Sequence, residues 1–499
     1  MGVVIRQSVK GSIVNYVGAF IGFLTTFFIA TKFLTPEEIG LLGVLTESAM
    51  LVAALAQLGT TASIIKYFPY FKSVEKKHHG FFGLSILVPF FGLVFFSILY
   101  ILLKQPVVWF FEKESALFLD YFYYVIPFAA FFVYVGVFET YASVLHRIVV
   151  PRFIREVGIR VMTIAVYLLW VFRIVTFDQF ILLFVLVYGA AAVLNLMYVF
   201  ALKQYSFKPN FEIAKPLRTS FFRYTAFLLP AAIGGTITAK MDTFMVSSML
   251  GLEQMGVFRI AYWMAVIIDI PYRSLNAISM PVVSTHLKNE DYKSVDFHCK
   301  KVSLNQLLVG CLIFILIWIN IDSIYAILPN GEIYVGGKYV VLFIALSRLV
   351  DSGFNFGLSI LSLSKYYYYY LFFIFFLTLL TIVSNLLLIP VLGITGAALA
   401  TFISFIIYNL LVIIIVYKTM KVTPFSKGQL KTAALTGVLL ALNFVIPQII
   451  NPYVDIVVRS VLLGGIFILA AYFWNISQDT NHIIRMVINR LKPSRPEKK

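Results

Sequence analysis

A chain of 499 residues that is 61% hydrophobic and only 13% charged is far too apolar for a soluble globule of its size. Apolar runs of about 20 residues, enough to cross roughly 30 Å of hydrocarbon, follow one another closely, and no polar interval reaches the about 50 residues of a small soluble domain. The net charge of +17 calls for no nucleic acid, because it is spread over short loops suited to an anionic leaflet.

In chain order, the first apolar run opens behind Arg6 and Lys10. It is too long for a signal peptide's apolar core, lacks a small-residue cleavage site, and reads as a permanent span. Arg6 stands where a myristoylation signal has Ser or Thr, so the Met-Gly start implies no acylation. Runs between charged or Pro/Gly-marked turns predict about fourteen helices, over 11–34, 38–66, 80–103, 117–144, 155–175, 179–202, 221–250, 256–282, 301–328, 339–363, 367–389, 392–417, 430–447 and 454–476. The two cysteines, Cys299 and Cys311, fall at the start of one of these helices and inside it, with no disulfide framework and no metal spacing. With the N-terminus inside, most of the 40 Lys and Arg fall on cytoplasmic loops, including Arg147, Arg152, Arg155 and Arg160, and both termini are cytoplasmic. Tyr366 to Tyr370 reads as an aromatic anchor at the interface. The end of the chain interleaves Ile483, Ile484, Val487, Ile488 and Leu491 with Arg485 and Arg490, the pattern of an interfacial amphipathic helix followed by a basic tail.

Two short turns repeat. Leu34-Thr-Pro-Glu37-Glu-Ile-Gly40 and Leu250-Gly-Leu-Glu253-Gln-Met-Gly256 share Leu, Glu and Gly at one spacing, offset by 216 positions. The offset covers six predicted helices, an even number, which gives two parallel six-helix bundles related by an axis along the membrane normal, plus two further helices. The organisation expected is an N-terminal bundle over 1–205, a second bundle over 206–420, two additional spans over 421–477 and a basic cytoplasmic tail over 478–499.

Taken together, Phe33 to Gly40, Gln57-Leu-Gly59, Met241-Asp242 with Leu250-Gly251 and Gly256, and Asn385 to Thr401 around Pro390, Gly393 and Gly396 resemble the Wzx-type polysaccharide flippases of the multidrug/oligosaccharidyl-lipid/polysaccharide exporter superfamily. The resemblance spans roughly residues 10 to 420 and rests on the order and spacing of these helix-end patterns. It implies an all-α polytopic fold with no catalytic centre, no cofactor and no metal. It further implies transport of an undecaprenyl-diphosphate-linked oligosaccharide across a bacterial cytoplasmic membrane by alternating access, with H+ or Na+ as the coupling ion. Family members that carry lipid pyrophosphates have several arginines on their first two helices, and here neither of those helices has one within the membrane.

Ionisable groups at membrane depth are costly and mark the candidate site. Lys240 and Asp242, two residues apart on the seventh predicted helix, point about 200° apart and so pair poorly with each other, one expected to face the lumen and the other a neighbouring helix. Asp269 and Arg273 stand at i,i+4, and Arg348 and Asp351 at i,i+3, each pair on one helix face. Glu47 lies in the second predicted helix and Glu139 in the fourth. Lys240, Arg273 and Arg348 are the candidate substrate ligands, because cations suit a pyrophosphate headgroup. Glu47, Asp242, Asp269 and Asp351 are the candidate ion-coupling groups. Two readings within the superfamily stay open, a cation-coupled multidrug exporter and a peptidoglycan-precursor flippase. A membrane glycosyltransferase or polymerase is the alternative of another class, and it lacks a sizeable external loop bearing acid or base groups.

Overall fold

The computed structural model describes residues 2–73, 75–208 and 211–491, with side chains for all of these except 2–12, 211–229, 231–232, 273–274, 277, 483 and 487–491. Every regular element among the described residues is helical. Among the described residues, nine helical stretches are long and apolar enough to cross a membrane, and the Tyr368–Met420 stretch, at 53 residues, is long enough for two crossings. The chain is an all-α polytopic membrane protein of about fourteen spans, as the apolar runs predict. By packing it forms two compact units, Met1–Arg259 and Ile260–Lys499.

The first unit begins with α1 (Gly2–Leu24), which continues through a π-helical turn, Thr25–Ala30, to Phe33. Thr35 then caps α2 (Pro36–Ala56): its hydroxyl accepts the Glu38 amide at 3.2 Å while its own amide donates to the Glu38 carboxylate at 2.8 Å. Glu38, the neighbour of the Glu37 singled out in the sequence, closes this capping box. The second predicted span is not continuous, since Gln57, Leu58 and Gly59 break it before α3 (Thr60–Phe71). There follow α4 (Phe81–Leu102), α5 (Val125–Val144), a short helix Val149–Phe153 with a second π turn Ile154–Gly158 leading into α6 (Ile159–Val171), and α7 (Phe177–Ala201). Phe82, Phe128, Val133, Tyr141 and Phe180, all fully buried, form the apolar interior that holds these helices together.

Next comes α8 (Phe211–Val266), interrupted at Gly251, whose φ of 91° is open to a residue without a Cβ. This is the second of the repeated turns, and it packs on the first. A Cβ at Gly40 would collide with the Leu252 carbonyl, and a Cβ at Gly256 with the Pro36 carbonyl. Position 252 is 36 plus 216 and position 256 is 40 plus 216, so the two contacts are each other's repeat equivalents, as a local two-fold relation generates. Their role is close backbone packing.

The second unit contains α9 (Asp269–Lys288), α10 (Tyr292–Trp318), α11 (Lys338–Phe354) with a short helix Phe356–Leu363 after it, α12 (Tyr368–Met420), α13 (Lys427–Asn443), α14 (Pro452–Phe473) and the terminal α15 (Gln478–Leu491). Its core joins Val295, Cys299, Phe356, Ile360, Phe373, Tyr408 and Val412. The chain turns within α12 at Gly393, with φ 59° and ψ −139°, which divides the stretch into the two predicted spans. At the far end, Asp455 and Arg459 of α14 form an ion pair at 2.8 Å with only 2% and 3% of their side chains exposed. Ser323, Asn443 and backbone groups of Ile446 and Ile449 complete that network, so it fastens the loop before α14. The terminal α15 is helical where the amphipathic pattern predicts it, and Lys301 of α10 holds its first turn through Asp479 at 2.9 Å. The basic end at 492–499 lies outside the described residues.

Candidate functional site

In the first unit the site grows from one face of α2. Gly43 and Glu47 are four residues apart and so share a face. Glu47 forms an ion pair with Lys240 of α8, the two side chains 17% and 19% exposed. One turn earlier, the absence of a side chain at Gly43 leaves room for the Arg259 guanidinium, which a Cβ there would strike. Tyr188 of α7 lies within electrostatic reach of Arg259, Arg160 and Glu47, and the buried Tyr167 of α6 within reach of Arg259. Arg160 in turn fills a notch over Gly18 and Gly22 of α1 and pairs with Glu156 at 2.9 Å.

The charges here are uneven. Lys240 has Glu47 and Arg160 has Glu156, whereas Arg259 forms no ion pair among the described residues. Arg259 is thus a cation of this cluster without a carboxylate partner among the described residues, and such a group can accept an anion away from bulk water. Glu139 of α5 lies apart, taken by Arg155 at 2.7 Å, and Arg155 also touches Glu156 at 3.1 Å.

The second unit holds a different cluster. Arg348 of α11 approaches Asp269 of α9 at 3.8 Å, donates to the Tyr262 hydroxyl at 3.1 Å, and lies over the rings of Tyr262 and Phe405 at 5.7 and 5.4 Å. Asp351, one turn along α11, has Arg348, Asp269, Asn355 and Asn409 as neighbours. Tyr272 is within reach of both carboxylates, and Tyr408 donates to Asn355 at 3.5 Å. Two carboxylates therefore face one described cation in a nest of hydroxyl and amide groups. Beside this cluster, an apolar groove of about 860 Å³ is lined by Leu307, Phe314, Leu349, Phe402, Leu430 and Leu440, with Lys427 also in its wall.

The residues picked from the sequence thus fall into two sets. Lys240 and Glu47 meet, as do Arg348, Asp269 and Asp351, and Asp242 is half-buried on α8 two residues from Lys240. Arg348 pairs across helices with Asp269 and also neighbours Asp351 on its own helix face. The side chain of Arg273 lies outside the described residues. Sequence reasoning missed Arg259 and Arg160. Arg259 stands alone in an apolar stretch three residues after the repeated turn, which is itself the signal that should find it. Arg160, counted among the cytoplasmic basic groups, packs on Gly18 and Gly22 of α1.

A family model described as polysaccharide biosynthesis protein matches residues 8–286. No curated protein matches the chain in sequence. Among solved structures, the lipid II flippase MurJ in an inward closed conformation is similar with a TM-score of 0.72 at 13% identity, over 94% of this chain and 99% of that one. An inward-facing multidrug resistance MATE family transporter of the MOP superfamily gives 0.60 at 13% identity, over 83% and 98% of the two chains. A MOP superfamily transporter from Pyrococcus furiosus, described as having a binding pocket of reverse polarity, gives 0.52 at 13% identity, over 84% and 96%. At these identities the likeness is one of fold.

Proposed function

Because the chain belongs to the polysaccharide biosynthesis protein family and folds as these transporters do, we propose that it is a flippase for an undecaprenyl-diphosphate-linked oligosaccharide. The observation that carries the reading is Arg259, a cation of the first unit with no ion-pair partner among the described residues, beside Lys240 and Arg160. A diphosphate diester brings fixed negative charge and acceptor oxygens, and guanidinium groups compensate such charge where water is scarce. The apolar groove of the second unit suits a polyprenyl chain, which gains about 0.8 kcal/mol for each methylene removed from water. Transport proceeds by alternating access in a bacterial cytoplasmic membrane, with both termini cytoplasmic and without catalysis of sugar transfer. Asp269 and Asp351, with Asp242, are the groups through which H+ or Na+ drives the cycle, and Arg348 belongs to that carboxylate cluster as much as to the cargo.

A second reading has its own support. The fold neighbour that covers 99% of its own length is described as a lipid II flippase, so a peptidoglycan precursor is the competing cargo. Deleting the gene and following surface polysaccharide separately from cell-wall synthesis distinguishes the two. The proposal expects loss of polysaccharide with normal cell wall, and an intact polysaccharide with arrested cell-wall synthesis transfers the assignment to the second cargo.

A further inference from the structure

We propose that Glu47 is a resident counter-ion, an internal anion that holds Lys240 until the phosphate groups of a lipid-linked headgroup displace it. This rests on the headgroup reading above and assigns that site its own competitor. The geometry points to it in three ways. Glu47 is the carboxylate paired with Lys240, and the same α2 face meets Arg259 one turn away, so a phosphate bridging the two cations has to enter where Glu47 now stands. Tyr188 lies within reach of Arg259 and Glu47 alike, so the position is shared. Finally, Glu47 makes no hydrogen bond besides the Lys240 pair among the described residues.

Comparison with Asp455 and Arg459 shows why that last point matters. There the carboxylate also accepts from Ser323 and the Ile449 amide, and the guanidinium also donates to Asn443 and the Ile446 carbonyl, so neither partner can leave without orphaning several groups. Glu47 leaves only Lys240 behind, and an incoming phosphate satisfies that ammonium in its place. A bare ammonium at this depth is costly, so an empty carrier needs an internal anion. Desolvation offsets much of the attraction within such a pair, so one anion replaces the other at little net cost.

Binding to the purified full-length chain in detergent tests this, with farnesyl diphosphate as headgroup probe and farnesol as its uncharged control. Wild type is expected to prefer the diphosphate, and Glu47→Gln to bind it about tenfold tighter, about 1.4 kcal/mol. Without ligand, Glu47→Gln is expected to melt lower than wild type, yet its ligand-induced rise is larger, a combination that a merely structural role would not produce. Glu47→Asp, which withdraws the carboxylate by one methylene, serves where the glutamine variant does not fold and is expected to tighten binding about threefold. Wild type that prefers the diphosphate, together with Glu47 variants that bind it no tighter, overturns the counter-ion proposal alone. Wild type that binds diphosphate and alcohol equally removes the headgroup reading and the proposal with it.

Discussion

The two units arrange their interior charges differently. In the first, Lys240 has Glu47 and Arg160 has Glu156, while Arg259 has no ion-pair partner among the described residues; in the second, Asp269 and Asp351 both neighbour Arg348. Their surroundings differ as well. The first cluster stands beside two tyrosines and a glycine-lined helix face, whereas the second is embedded in tyrosine, asparagine and aromatic ring contacts. An arginine without a carboxylate partner suits an anion, and carboxylates gathered around a ring-stacked arginine suit a cation or a proton, which is the contrast that the proposed cargo and coupling roles rest on.

The largest effect is expected where a charge would be orphaned. Arg348→Gln leaves Asp269 and Asp351 facing each other and should cost about 3 kcal/mol of stability, read as a lower melting temperature, with Asp269→Asn restoring most of it. Arg259→Gln should behave in the opposite way. It keeps or raises stability while weakening binding of a diphosphate-bearing lipid by about 2 kcal/mol, roughly thirtyfold, since a charge-assisted contact is lost without orphaning a carboxylate. Gly43→Ala pushes the Arg259 guanidinium off its place on α2 and should lower the same affinity by about 1 kcal/mol, measured beside an unchanged helical signature. Arg155→Gln removes a partner 45% exposed from Glu139, which is 13% exposed, and should cost about 1 kcal/mol of stability. Equal responses of Arg259 and Arg348 in binding and in melting would erase the distinction between the clusters.

Much of the fold is legible in the sequence because bilayer thickness sets the length of each apolar run. The division of α12 at Gly393 follows from a residue that tolerates φ 59°, and the offset of 216 finds physical form in the reciprocal contacts of Gly40 and Gly256. The break at Gln57 to Gly59 was hidden inside an unbroken apolar run. The site was legible only as a set of residue types. Which charge meets which is decided by packing between distant helices, so Glu47 with Lys240 and Asp269 with Arg348 could not be read from i,i+3 and i,i+4 spacing. Arg160 shows the same limit from another side. Counting basic residues groups it with the cytoplasmic end but does not name its neighbours; the π turn Ile154–Gly158 leads without a break into α6, and Arg160 comes to rest on Gly18 and Gly22.

The most direct test of the cationic site is translocation in proteoliposomes. Purified protein reconstituted with a fluorescent polyprenyl-diphosphate-linked oligosaccharide, under an imposed ion gradient, should move the headgroup to the opposite leaflet, and Arg259→Gln at equal reconstitution should be slower by at least about tenfold. Wild type that leaves the lipid in place, or Arg259→Gln that moves it as fast as wild type, would contradict the account.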